Sequence, residues 1–196
     1  MKIDDCDKCP SLASSRSRIV SGYGDKNADI MFVGLAPGRN GADITGVPFT
    51  RDPSGVLFQE ALIRTGFSLE SNPKIEYPRL RNVFITNIVK CNPKNEKGNN
   101  RYPSKTEIDN CLNYFKIERE KVNPKIIILL GKTTTENILK IKCGSFTKFH
   151  NHPIEKDNTI YIPFIHPSYV IRGAYNKEKY LCEFSELKNN IGKVNL

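Results

Sequence analysis

The chain has 196 residues, of which 38% are hydrophobic and 26% charged, as expected of a globular domain with a sizeable core. Lys and Arg outnumber Asp and Glu by 30 to 21, and the formal charge of +9 favours an anionic partner such as nucleic acid, although a lysine-rich proteome would give the same bias. The first ten residues are too polar for a signal peptide and the longest aliphatic run, Ile126–Leu130, is too short to cross a bilayer, so we expect a cytoplasmic protein of one domain, residues 1–196, with no membrane partner.

Strands and helices are predicted to alternate along the chain. Short apolar runs rich in branched residues predict four buried parallel strands, at Ile30–Val33, Val83–Val89, Ile126–Leu130 and Ile160–Ile165. Helical patterns predict a helix that Ser54 caps and Gly66 ends, one that opens with the capping box Ser104–Glu107, one from Gly131 to Leu139, and one over residues 177–187. This alternation predicts an α/β fold, a three-layer α/β/α sandwich with a central, mainly parallel four-stranded sheet.

The loop after the first predicted strand is unusually rich in Gly and Pro. Its sequence, GLAPGRNGADITGVPFTRDPSG, fills Gly34–Gly55. Such loops bring backbone close to a ligand, and open parallel sheets bind ligands beyond the carboxyl ends of their strands. We therefore expect the functional site where this loop meets the ends of the other strands. The polar stretch Asn92–Arg101 is predicted to be a mobile surface loop.

Four of the six cysteines fall into two pairs. Cys6 and Cys9 form a CxxC pair, whose spacing brings two thiolates to one metal ion, whereas Cys91 and Cys111 are 20 positions apart. Structural disulfides are not expected in the cytoplasm. A four-cysteine site for zinc or an iron–sulfur cluster is one interpretation, and two ordinary buried thiols at Cys91 and Cys111 are the other.

Several motifs together resemble those of the iron–sulfur uracil-DNA glycosylases. They are GLAPG, GVPFTRDPSG, TNIVKC, NRYPSKTEIDNC and HPS, spread over most of the chain between Cys6 and Ser168. Leu35, where family 4 carries Glu, and the stretch FTRD followed by SG resemble family 5, the type-B enzymes. Gly38 is the family-4 residue, and Asp43 stands where family 5 has Asn. The chain therefore resembles family 5 most, with some family-4 features.

The resemblance implies a structural 4Fe–4S cluster and an activity in base excision repair. Its ligands would be Cys6, Cys9, Cys91 and Cys111. The implied activity is that of a monofunctional DNA glycosylase, an enzyme that flips out uracil, or another deaminated base such as hypoxanthine, and hydrolyses its N-glycosidic bond. We expect a monomer that acts on DNA containing such a base.

The resemblance also implies a pocket for the flipped base. Phe49 would stack under uracil, where a core anchor is the alternative role for its ring. Asn87 is a polar residue in an apolar strand, and its amide can match O4 and N3–H of uracil but not the reversed pattern of cytosine. His166 would bond uracil O2 as negative charge develops. The loop residues Gly34, Ala36, Pro37 and Gly38 would bring the main chain to the nucleotide.

The water and the phosphates need further residues. Asp52 matches the type-B carboxylate that we expect to position the water, and Asp43 in the same loop is its rival. Both could instead be turn or cap residues. Arg39, Pro167 and Ser168 are expected to contact DNA, with backbone N–H groups after Pro167 meeting a phosphate.

Two other function classes fit the same sequence. A binding protein of the same fold would hold DNA or a modified base without cleaving it, and Leu35 in the first motif keeps this hypothesis open. An iron–sulfur electron carrier would need an exposed cluster and a redox partner. Cleavage of uracil-containing DNA distinguishes the glycosylase from both.

Overall fold

The computed structural model describes residue 3 and residues 5–191 and contains a six-stranded mixed sheet. The strands are β1 (Tyr23–Gly24), β2 (Ile30–Gly34), β3 (Val83–Asn87), β4 (Ile126–Leu130), β5 (Ile154–Lys156) and β6 (Thr159–Phe164). The helices are α1 (Pro10–Ser15), α2 (Ala42–Thr45), α3 (Pro53–Arg64), α4 (Lys105–Val122), α5 (Lys132–Leu139), α6 (Pro167–Ile171) and α7 (Lys177–Ile191), with a 3-10 turn at Phe146–Lys148.

The four predicted strands form the centre of the sheet and are parallel. The strand order is β1-β3-β2-β4-β6-β5, and the β3–β2, β2–β4 and β4–β6 pairs are all parallel. The two edge strands pair antiparallel and were not predicted. They are two and three residues long and carry no buried apolar run, so the sequence lacks the signal that marks a core strand.

Both faces of the sheet are covered, which confirms the predicted three layers. Alternate residues of each central strand point to opposite faces, as Ile30 and Phe32 do on one side and Met31 and Val33 on the other. The first face packs against α3, α6 and α7, and the second against α1, α4 and α5. All five residues of β2, β3 and β4 are buried, and β2 and β4 accordingly read as continuous apolar runs, whereas β3 ends in the polar residues Thr86 and Asn87.

The helix starts confirm one predicted cap and correct another. Ser104 and Glu107 form the predicted capping box at the start of α4. Helix α3 begins one residue before Ser54, and its cap is Asp52, whose Oδ1 accepts a hydrogen bond from the Gly55 N–H at 2.7 Å. Pro53 occupies the first helical position, where its missing N–H costs nothing.

The carboxyl ends of the four central strands lie along one edge. The parallel register pairs Gly34 of β2 with Asn87 of β3, and Leu130 of β4 with Phe164 of β6. The loops that follow these strands therefore emerge side by side, where open parallel sheets bind ligands. Within the described part of the chain, no helix combines the length and the apolarity that a membrane crossing requires.

Candidate active site

A cleft of about 340 Å³ opens at the carboxyl ends of the central strands. The loops after all four parallel strands contribute to its walls, as the sheet topology predicts. The base-pocket candidates Phe49, Asn87 and His166 all line it, together with the carboxylate candidate Asp52. Ala36, Pro37 and Gly38 form part of the wall.

Gly34 lets Phe49 and Asn87 meet. A Cβ atom added at Gly34 would overlap Asn87 Oδ1 and lie 2.6 Å from Cζ of the Phe49 ring. Because neither the strand amide nor the enclosed ring can retreat at low cost, only glycine fits between them. The absence of a side chain at this position brings an aromatic face and an amide edge to one wall of the cleft.

Gly34→Ala is therefore expected to push the Phe49 ring and the Asn87 amide apart. Any activity that needs both side chains is expected to fall by tenfold or more, which corresponds to about 1.4 kcal/mol in the activation barrier. The matched control is Gly144→Ala, since nothing lies within 4 Å of a Cβ added there. Steady-state rates of the two variants, with thermal unfolding as a check on folding, test this. Equal rates for the two variants would contradict it.

Contacts with Phe58 and Gln59 of α3 fix the position of Phe49. It packs on Phe58 at 4.7 Å between ring centroids and lies 5.6 Å from the His166 ring. Its backbone adopts φ 55°, a left-handed conformation that is uncommon for an aromatic residue, and its carbonyl accepts a hydrogen bond from Gln59 Nε2 at 3.1 Å. Gln59 was not predicted from the sequence, although it is a buried polar residue within an apolar helix face.

His166 is held as a neutral imidazole with its proton on Nε2. Nδ1 accepts the Ser168 backbone N–H at 3.1 Å and also contacts Ser168 Oγ at 2.9 Å, so it carries no proton. Burial and, as the smaller cause, the charge of Arg172 together lower the pKa of His166 to about 4. The ring is therefore uncharged at neutral pH and has an N–H donor on the nitrogen that Ser168 leaves unused.

Asp52 combines a cap with a carboxylate oxygen at the cleft. Oδ1 caps α3, while a Cβ added at Gly38 or Gly41 would come within 2.6 or 2.5 Å of Oδ2. These two glycines of the first loop therefore make room for the carboxylate. Burial raises the pKa of Asp52, and the backbone N–H groups of Gly55 and Ser54 oppose the rise.

The rival carboxylate, Asp43, is buried outside the cleft. Its Oδ1 accepts the Ser17 backbone N–H at 3.0 Å, and its Oδ2 accepts Ser17 Oγ at 2.9 Å and Lys94 Nζ at 2.9 Å. Both oxygens are occupied by partners far away in sequence. This geometry argues against the predicted water-positioning role of Asp43 and assigns it to a buried ion pair.

The residues predicted to contact DNA are partly engaged within the protein. Arg39 does not line the cleft, and its Nη1 donates to the Gly98 carbonyl at 2.9 Å. Pro167 begins α6, but the N–H groups of Ser168 and Tyr169 already donate to His166, to Nδ1 and to the carbonyl. The predicted use of these N–H groups for a phosphate is therefore not supported. Contact of the Arg39, Pro167 and Ser168 side chains with DNA stays a prediction.

The stretch Asn92–Arg101 is attached to the first loop and is not the free surface loop that was predicted. Asn92 has no exposed surface and donates through Nδ2 to the Pro37 carbonyl at 2.6 Å. Asn100 Oδ1 accepts the Arg39 backbone N–H at 3.0 Å, and Asn92, Asn100 and Arg101 all line the cleft. The sequence feature that could have indicated this attachment is the position of Asn92 directly after Cys91, a candidate cluster ligand.

The four paired cysteines are neighbours in the fold: Cys6 and Cys9 precede α1, Cys91 precedes the 92–101 loop, and Cys111 lies in α4. Burial raises the pKa of the Cys91 thiol, and the neighbouring Cys6 and Cys9 raise it further. Burial likewise raises the pKa of Cys111 to about 11, with Cys91 and Cys6 among its neighbours. None of these cysteines forms a disulfide in the described part of the chain.

Hydrogen-bond donors point at three of these sulfurs. The Lys90 backbone N–H approaches Cys111 Sγ at 3.2 Å, Arg16 Nη1 approaches Cys91 Sγ at 3.4 Å, and Asn110 Nδ2 approaches Cys9 Sγ at 3.5 Å. Four thiols with such donors have the chemistry that holds iron–sulfur clusters. Among residues 3 and 5–191, no group of three or more His, Cys, Asp or Glu side chains has the finished arrangement of a metal site.

Comparison with known proteins agrees with this geometry. The model of the uracil DNA glycosylase superfamily matches residues 21–187. The chain is 33% identical over 177 residues to the type-4 uracil-DNA glycosylase of Thermotoga maritima, covering 90% of this chain and 83% of that protein. It is 30% identical over 199 residues to the type-4 enzyme of Archaeoglobus fulgidus, covering 98% and 91%. It is 32% identical over 168 residues to the type-5 enzyme of Pyrobaculum aerophilum, covering 77% and 72%.

Proposed function

Because the chain belongs to the uracil DNA glycosylase superfamily, we propose that it excises uracil from DNA and leaves an abasic site. The observation that carries the proposal is one cleft that joins an aromatic ring, a strand amide, a neutral imidazole and a carboxylate: Phe49, Asn87, His166 and Asp52. The uracil would reach this cleft by leaving the base stack, at a cost of a few kcal/mol.

Base recognition falls to Phe49 and Asn87. Stacking on an aromatic face is worth about 1–3 kcal/mol and accepts any base, so it supplies affinity more than selectivity. The Asn87 amide offers one donor and one acceptor, which match O4 and N3–H of uracil. Cytosine presents the opposite pair, and a buried amide facing it would lose both hydrogen bonds.

His166 stabilises the leaving group. When the C1′–N1 bond breaks, the electron pair stays on uracil and the negative charge spreads to O2. The neutral Nε2–H of His166 can donate to that oxygen, an interaction that strengthens as the charge grows. Because Nδ1 is occupied by Ser168, the ring keeps this tautomer and orientation without being protonated.

Asp52 acts on the water. The sugar becomes an oxocarbenium ion as uracil departs, and a water oxygen then bonds to C1′. An ionised Asp52 orients this water, accepts its proton and offsets the positive charge of the sugar. Its Oδ2 is available for this, since the α3 cap uses Oδ1.

A 4Fe–4S cluster would be held by Cys6, Cys9, Cys91 and Cys111. Thiolates bind zinc as well as iron–sulfur clusters, so the four cysteines and the hydrogen bonds to their sulfurs do little to distinguish the two. The family resemblance is the stronger support for the iron–sulfur cluster. The cluster would supply structural cross-linking: it would join the N-terminal segment to the base of the 92–101 loop and to α4. No catalytic step needs it.

Excision is tested with single-stranded and double-stranded oligonucleotides that carry one uracil. Purified protein is incubated with each, and alkali converts abasic sites into strand breaks. We expect breaks at uracil and none at cytosine or thymine, with a hypoxanthine substrate measuring the breadth of the pocket. Intact strands together with tight binding would support the non-cleaving binding protein instead. Gel filtration at the same concentration tests the expected monomer.

Replacing Cys91 tests the cluster. The wild-type protein is expected to be brown and to contain iron, and Cys91→Ala is expected to lose most of the colour and of the iron, because a cluster held by three thiolates instead of four is bound more weakly and is lost more readily. Cys182→Ala is the matched control, since Cys182 is exposed. Metal analysis and the visible spectrum measure the outcome, and zinc in place of iron in the wild-type protein would contradict the assignment.

A further inference from the structure

A second buried imidazole holds the main chain immediately before His166. The His150 side chain is 9% exposed, lies outside the cleft and packs edge-on against Phe164, with 4.7 Å between the ring centroids. Its Nδ1 accepts the backbone N–H of Ile165 at 3.2 Å. The pairing of β6 with β4 ends at Phe164, so His150 supplies an acceptor for the first main-chain N–H beyond the sheet ladder. This contact fixes the chain one residue before His166.

The two ring nitrogens of His150 have different partners. Because Nδ1 accepts a backbone N–H, the proton of the neutral ring is on Nε2, which donates to Glu183 Oε2 at 3.1 Å. Burial lowers the pKa of His150, an effect that Glu183 opposes, so the ring is neutral at neutral pH. The bond to Glu183 therefore fixes the tautomer and the orientation that the Ile165 N–H requires.

Glu183 of α7 also binds the chain that follows His166. The Tyr175 hydroxyl, in the connection between α6 and α7, lies 2.8 Å from each of the two carboxylate oxygens of Glu183. One carboxylate therefore holds the chain before the HPS motif, through His150, and the chain after it, through Tyr175.

Donation of a hydrogen bond to a leaving base requires such fixation. The donor must lie about 2.7–3.1 Å from the oxygen on which charge develops, and a misplacement of about 1 Å can cost about 10²-fold in rate. Ser168 fixes the rotation of the His166 ring by occupying Nδ1. Since Ser168 belongs to the same helical turn, that bond does not attach the turn to the rest of the protein. The hydrogen bonds from Ile165 to His150, and from His150 to α7, do.

We propose that His150 is a positioning residue for His166, an inference that rests on the proposed glycosylase function. Through the Ile165 N–H it keeps Nε2 of His166 directed at O2 of the departing uracil. Glu183 and Tyr175 keep the His150 ring in place. His150 itself contacts neither the base nor the water and exchanges no proton during the reaction.

His150→Ala is expected to lower the single-turnover rate of excision by about tenfold, a smaller loss than removal of His166 itself. Affinity is measured on DNA that contains 2′-fluoro-2′-deoxyuridine, whose fluorine destabilises the oxocarbenium ion and prevents cleavage. That affinity is expected to stay within about twofold of the wild-type value, since the bond from His166 strengthens only as charge develops. His150→Asn is expected to recover most of the rate, because its Oδ1 can replace Nδ1 and accept the Ile165 N–H.

A double-mutant cycle separates positioning from general support of the fold. In a His166→Ala background the residue that His150 positions is gone, so adding His150→Ala is expected to change the rate by less than about twofold. A general structural role would lower the rate by the same factor in both backgrounds. Tyr175→Phe removes one hydroxyl and keeps the ring, and it is expected to give the same pattern with a smaller defect. It tests the proposal even if His150→Ala does not fold.

The matched control is Val122→Ala, which removes core methyl groups on the other face of the sheet. It lowers stability without touching the chain around His166, so the excision rate of the folded protein is expected to equal that of the wild type, with thermal unfolding measuring the stabilities. A wild-type rate in folded His150→Ala, a His150→Asn as slow as His150→Ala, or additive losses in the cycle would each overturn the role of His150. A wild-type protein that fails to excise uracil would instead overturn the proposed function itself.

Discussion

Asp52→Asn is expected to slow uracil excision by about 10²-fold or more, the usual contribution of a positioned general base. The substitution is close to isosteric, and Asn is as good a helix cap as Asp, so the Gly55 N–H keeps its partner and α3 keeps its start. What is lost is the charge that takes the proton of the water and faces the cationic sugar. Single-turnover rates at saturating enzyme measure this loss directly.

The pH dependence of the wild-type rate is expected to reflect the ionisation of Asp52, together with the titration of His166 in the same acid range. The mechanism needs Asp52 ionised, so the rate falls as the pH drops through the pKa of Asp52, which burial raises above the ordinary value of about 3.9. His166, with a pKa of about 4, is neutral throughout the range above pH 6. The rate is therefore expected to be flat near neutral pH and to decline on the acid side.

Asp43→Asn is the matched comparison for Asp52→Asn. It removes a buried charge that pairs with Lys94 and lies outside the cleft, so it is expected to lower thermal stability more than the excision rate of folded protein. The reverse pattern, a slow Asp43→Asn and a normal Asp52→Asn, would assign the water to Asp43 and contradict the mechanism.

His166→Ala is expected to slow excision by about 10²–10³-fold, as the loss of one donor to a developing anion does elsewhere. The effect arises in the transition state, so binding of uncleavable 2′-fluoro DNA changes much less than the rate. His152→Ala controls for loss of an imidazole, because His152 is exposed and its ring hydrogen-bonds the His150 carbonyl, outside the cleft. Rates and affinities of the two variants on the same oligonucleotide give the comparison.

The leaving group provides a check on the role of His166. A base whose anion is already stable needs less help, so 5-fluorouracil is expected to be excised by His166→Ala with a smaller defect than uracil. An equal defect on both bases would show that His166 acts on something other than the departing anion.

The central strands could be predicted because burial on both faces leaves no room for polar residues. β2 and β4 are nearly continuous runs of apolar side chains, a pattern that predicts a buried strand from the sequence alone. The edge strands β1 and β5 have no such constraint, since solvent covers much of them. Their pairing depends on where a neighbouring strand ends, and a local pattern does not carry that information.

Site residues could be predicted where their polarity differs from that of the neighbouring residues in the sequence. Asn87 is an amide in a buried strand, and His166 stands at a strand end, so both are visible against an apolar background. Asp43 and Asp52 share one loop and look alike in sequence. What separates them is Lys94, 51 residues beyond Asp43, whose position only the folded chain determines.

Asn92 was missed for the same physical reason. It begins a polar stretch that resembles a surface loop, and its burial arises from long-range hydrogen bonds to the Pro37 carbonyl and to Asn100. Residues of this kind become visible only when two loops from distant parts of the chain meet.

The most direct test of the flipped-base cleft is a crystal structure with an oligonucleotide that contains 2′-fluoro-2′-deoxyuridine. We expect the uracil out of the helix with its face on the Phe49 ring, its O4 and N3–H bonded to the Asn87 amide, and its O2 within hydrogen-bond distance of His166 Nε2. A uracil that lies outside this cleft, in crystals of a protein that excises uracil in solution, would contradict the assignment.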